Sequence, residues 1–71
     1  SELAERHRQI QETPEARRNQ DEKDFILVYD RVRLGLEHLK EPELAYDKKY
    51  ELAQGIQQAL MDMDLLWLSW L

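Results

Sequence analysis

The last twelve residues, Leu60 to Leu71, constrain this chain more than any other stretch. They hold both tryptophans and both methionines of the 71-residue sequence, and only Asp62, Asp64 and Ser69 among them are polar. Placed on a helix at about 100° per residue, Leu52, Ile56, Ala59, Met63, Leu66 and Trp70 recur at alternating spacings of four and three. This is a heptad-like seam, widened on one side by Ala53, Leu60, Trp67 and Leu71. Through Gln58 the opposite face is polar, carrying Asp47, Glu51, Gln54 and Gln58. Beyond it Met61, Leu65 and Leu68 form a second apolar stripe at i, i+4 and i+7, about 180° from the first. One stripe makes an ordinary amphipathic helix. Two opposed stripes call for burial from both sides.

The partner of that segment is read from the rest of the chain. Phe25, Val28, Tyr29, Val32, Leu36 and Leu39 form one helical stripe, with Leu27 and Leu34 on the far side. Glu41-Pro42-Glu43 ends this helix near Lys40, because proline cannot donate the helical bond and pushes its predecessor out of the α region. A new helix is expected to start at Pro42, where the missing N–H costs nothing, and to run to the end. The fold class predicted is therefore all-α, an antiparallel helical hairpin of about 14–41 and 42–71. Folding about Pro42 places Val28 and Tyr29 near Gly55, a large-against-small contact that would account for glycines at 35 and 55 in helix interiors.

The start of the first long helix has two readings. Thr13-Pro14-Glu15 resembles a cap, proline at the first helical position and an acid in the first turn. Asp21 with Asp24 three residues later resembles a capping box. Residues 1–12 are rich in helix formers but present only Leu3 and Ile10 as an apolar stripe, so they read as a mobile helical extension.

The hairpin aligns residues 61–71 with residues 13–23, a nearly all-polar stretch that cannot cover two tryptophans. Burying a large apolar side chain is worth about 1.5–3 kcal/mol, so a cover from elsewhere is expected. A homo-oligomer, dimer or higher, supplies it in the leading reading, and Met61, Met63, Leu65, Leu66, Trp67, Leu68 and Trp70 are the interface residues. Aromatics and methionine also suit docking of another protein. Two further architectures stand beside this one: a long helix kinked at Pro42 that pairs in a dimer, and a three-helix monomer in which Leu3 and Ile10 fold back. A chain this short buries only about 60% of its unfolded surface, so self-association is a common remedy.

Composition narrows the chemistry. With 42% apolar and 35% charged residues, two glycines and two prolines, the chain reads as helical. It has no cysteine, hence no disulfide framework, thiolate metal site or thiol nucleophile, which fits a cytoplasmic setting. A net charge of −5 argues against nucleic acid and against anionic lipid as partners. The charged N-terminal residues do not read as a secretory signal, and the apolar end, interrupted by Asp62 and Asp64, is shorter than the roughly 20 residues a bilayer requires.

Glu37, His38 and Glu41 are the one polar cluster with metal or catalytic potential, yet no inward Glu-x-x-His motif accompanies them. Asp62 and Asp64 point about 200° apart and form no carboxylate pair. The basic spots at Arg6 and Arg8, Arg17 and Arg18, and Arg31 and Arg33 are each flanked by acids, as on a solvated helix face. No phosphate loop, nucleophilic triad or metal spacing occurs, so no metal, cofactor or catalytic residue is expected. The function expected is non-enzymatic protein–protein interaction, with an enzyme site between subunits or a membrane-surface role as the competing classes.

Overall fold

The computed structural model describes all 71 residues as helices joined by short connections: α1 Glu2–Glu12, a 3-10 turn Glu15–Arg17, α2 Gln20–Leu39 and α3 Tyr46–Leu68. There is no strand. No helix is long and apolar enough to cross a membrane.

Local chemistry sets the boundaries. Ser1 caps α1, its Oγ accepting from the Ala4 N–H at 3.2 Å. Thr13 closes that helix rather than opening the next: it is extended (φ −78°, ψ 127°), as a residue before proline must be, and its hydroxyl donates to the Gln9 carbonyl at 2.9 Å. Arg18 then folds back, its guanidinium donating to the free carbonyls of Thr13 (3.0 Å) and Gln11 (3.2 Å) at the end of α1.

Neither expected start of α2 is the real one. Asn19 is the cap, in a reciprocal capping box with Glu22: the Glu22 N–H donates to Asn19 Oδ1 at 2.8 Å, and the Asn19 N–H to Glu22 Oε1 at 2.9 Å. At the other end Pro42 breaks the chain but does not begin α3. Residues 40–45 turn first, and α3 starts at Tyr46 after the extended cap Ala45.

α2 and α3 pack along each other with opposite chain directions, Phe25 against Trp70 at one end and Gly35 against Ile56 toward the other. The α3 seam is the one its period indicates: Ile56, Ala59 and Met63 are buried, and Leu52, Leu66 and Trp70 are half-buried. On α2 the contact line passes through Phe25, Val28 and Gly35 and leaves Leu36 exposed. The large-against-small contact therefore sits at Gly35, where an added Cβ would lie 2.7 Å from Ile56 Cγ1, and not at Gly55, which has nothing within 4 Å.

The largest departure from expectation concerns α1. It is docked, not a free extension: Ile10 is 1% exposed and shares one cluster with Phe25, Val28 and Met63, with Leu3, Tyr29, Leu66 and Trp70 packed around it. His7 stacks on Tyr29 with ring centroids 3.9 Å apart, and its Nε2 lies 3.4 Å from Asp30 Oδ1 without hydrogen-bond alignment. The expectation that Leu3 and Ile10 bury little fails because three elements converge on Ile10, a coincidence that no local period reports. The three-helix arrangement, the lesser alternative on sequence grounds, describes the chain.

Candidate interaction surface

Docking of α1 divides the seven residues of the expected interface. Met63 is 4% exposed and belongs to the core. Leu66 and Trp70 pack against that core. The Trp70 ring meets Phe25 edge-on at 5.3 Å, and the Arg6 guanidinium stacks over it at 4.1 Å. Trp67 is half-buried and lies perpendicular to Trp70, at 6.4 Å. Trp70 is thus covered within the chain, by Arg6 of α1 and Phe25 of α2, and not by the second copy that the leading sequence reading required for it. Met61, Leu65 and Leu68 remain, at 60%, 66% and 60% exposure.

Leu65 does not stand alone. It lines a groove between α2 and α3 together with Asp24, Leu27, Val28, Arg31 and Asp62. Two adjoining grooves continue from Arg31 and Gly35 toward the loop: one is bordered by Leu34, His38 and Leu52, the other by Lys48, Leu52 and Gly55. No α1 residue lines any of the three, so this is the side of the helix pair that α1 leaves bare. On α2 the lining positions Asp24, Leu27, Arg31, Leu34 and His38 follow the spacing three, four, three, four, a helical stripe in its own right. Leu27 is 65% exposed and Leu34 is also exposed. Sequence spacing puts these two leucines on the far side of α2 but does not join them to Leu65; the heptad spacing through Asp24 and Arg31 is the signal that could have found the stripe.

The charges on this surface are of both signs with acids in excess: Asp24, Asp30, Glu51 and Asp62 against Arg31 and Lys48. Arg31 makes no ion pair within the chain, whereas its neighbour Arg33 reaches Asp30 (3.8 Å) and Glu37 (3.7 Å). Asp24 accepts only from Gln20 (2.9 Å) and Asp62 only from Gln58 (3.1 Å). Lys48 pairs with Glu51 at 3.6 Å. Arg31, Asp24 and Asp62 thus border the apolar strip outside any ion pair of the chain.

The other polar clusters lie at the surface. Glu37, His38 and Glu41 are exposed, and no group of three His, Asp or Glu side chains converges as metal ligands would. On the outside of α1, Arg8 donates to Glu5 and to Glu12, the latter at 2.7 Å. The hydrogen bond from Arg8 holds the Glu5 carboxyl below its ordinary value, and Glu5 and Glu12 raise the guanidinium.

The chain matches no protein-family model, no curated protein and no solved structure. Its own surface therefore carries the functional reading.

Proposed function

We propose that this chain is a non-enzymatic helical interaction module that self-associates and binds proteins through the outward faces of α2 and α3, in the cytoplasm. The observation that carries the reading is the pair Leu27 and Leu65, about two-thirds exposed on adjacent helices and lining one groove, with Met61 and Leu68 extending the apolar surface on α3. The core is filled by other residues, so intrachain packing gives no reason for these four to be apolar. Scattered surface leucines are ordinary; leucines from two helices on one groove are a patch, and patches mark contact sites.

The rest of the molecule agrees with a binding role. α3 is a helix of 23 residues, and an apolar groove alongside α2 is the kind of surface on which amphipathic helices are recognised side-on. Its full pairing would turn a thin three-helix unit into a bundle with apolar surface covered on both sides, a common solution for chains of this length. The test is the thermal midpoint measured across a hundredfold range of protein concentration. Self-association raises it with concentration by mass action. A midpoint independent of concentration, with a monomer mass by light scattering, would remove self-association from the reading.

A further inference from the structure

We infer that the bare α2–α3 face is completed by a second copy of this chain, set across it by a two-fold axis near Leu27, so that Arg31 of each copy meets Asp24 of the other. This rests on the self-association reading and adds to it the occupant, the orientation and the charge pair that fixes them.

Symmetry constrains such a contact strongly. In an isologous interface one patch meets itself, so each charged group needs its complement inside the same patch, at an equal distance on the other side of the axis. The α2 stripe meets that requirement. Asp24 and Arg31 lie three and four residues either side of Leu27, each about one helical turn away. They are about 10 Å apart along the helix, so antiparallel placement of a second α2 around Leu27 superposes each on its opposite. Neither has an ionic partner in its own chain: Arg31 forms no salt bridge, and Asp24 receives only the Gln20 amide. Leu65 lines the same groove as Leu27, so four leucines from the two copies meet about the axis and exclude water from it.

The charge count points the same way. The whole chain carries −5, and the groove residues, though acidic in sum, mix both signs: Arg31 and Lys48 stand among Asp24, Asp30, Glu51 and Asp62. A face built for a strongly basic or strongly acidic partner would carry one sign; a face built for its own copy carries both. Gly55, open on the same side with nothing within 4 Å, offers no side chain to hold the second copy away.

Charge-reversed copies mixed with each other decide the matter. Arg31→Glu alone sets an introduced carboxylate against Asp24 at both contacts of the dimer. Asp24→Arg alone sets an introduced guanidinium against Arg31 at both. Each variant by itself is expected to dimerise roughly tenfold more weakly or worse than the wild type. Mixed in equal amounts they place opposite charges at both contacts, and a heterodimer should form with affinity near that of the wild type. Sedimentation velocity of each variant and of the mixture reads the masses, and far-UV circular dichroism confirms that each remains helical. A wild type that dimerises while both variants dimerise equally well would overturn the Arg31–Asp24 register and leave self-association standing. Two weakened variants that do not recover on mixing would overturn it too. A wild type that stays monomeric at high micromolar concentration would overturn the reading beneath it.

Discussion

The side chain of Ile56 lies directly against the backbone of Gly35: a Cβ at position 35 would stand 2.7 Å from Ile56 Cγ1 and 3.0 Å from its Cδ1. The missing side chain makes room for Ile56 here, which explains a glycine kept inside a 20-residue helix. Ile56 is β-branched and buried, with little rotamer freedom to move aside. We therefore expect Gly35→Ala to cost about 1 kcal/mol net, overpacking of about 1–3 kcal/mol outweighing the gain of about 1 kcal/mol in helix propensity. Urea unfolding measures it. In an Ile56→Ala background the same substitution should become neutral or stabilising, a coupling that only direct contact produces.

Gly55 is the control. Its open surroundings let a methyl group in freely, so Gly55→Ala should raise stability by about 0.5–1 kcal/mol when measured at dilution. A loss there would mean that α3 is rotated from the position described.

α1 is expected to behave as part of the fold. Ile10→Ala removes a fully buried side chain from the cluster with Phe25, Val28 and Met63, and should cost about 2–4 kcal/mol. Hydrogen exchange should show the amides near His7 and Ile10 protected with the core, not freely exchanging as in a frayed end. Free exchange over residues 5–12 with an inert Ile10→Ala would mean that the helix is undocked.

How far this is legible in the sequence differs by element. The α3 seam is, because Leu52 to Trp70 keep an unbroken period and a helical period is a local property. So is the outward set Met61, Leu65 and Leu68, which follows from the same angles. The start of α2 is not: Asn19 stands between two other plausible caps, and only the reciprocal bonds with Glu22 distinguish it. α1 is the least legible. Leu3 and Ile10 make a poor stripe, and what docks them is contributed by residues far away in sequence, namely Tyr29 under His7 and Trp70 under Arg6. A ring and a guanidinium in contact leave no periodic trace. The candidate surface is half visible, since Leu27 and Leu34 are evident as outward residues while their union with Leu65 depends on the way α2 and α3 pack.

The outer side of α1 is expected to carry a pH dependence. Arg8 holds the Glu5 carboxyl below its ordinary 4.5, so the contribution of this bond is present above that value and is lost as pH falls through the depressed one. Helicity should fall on acidification from about pH 5 toward about pH 3, and Arg8→Ala should remove part of that fall. Both groups are at the surface, so added salt should reduce the difference. Identical acid titrations for wild type and variant would show that the bond contributes nothing.

The most direct measurement is the solution mass of the wild type beside that of Leu65→Glu/Leu68→Glu. Leucine and glutamate have similar helix propensities, and both positions face away from the core, so the chain's own packing loses little. Two carboxylates inside an interface would cost several kcal/mol each. By sedimentation equilibrium at high micromolar concentration we expect a wild type of about twice the 8.6 kDa chain mass or more, and a double variant near the chain mass with most of its helicity. A monomeric wild type, or a variant that assembles as the wild type does, would contradict self-association through this face.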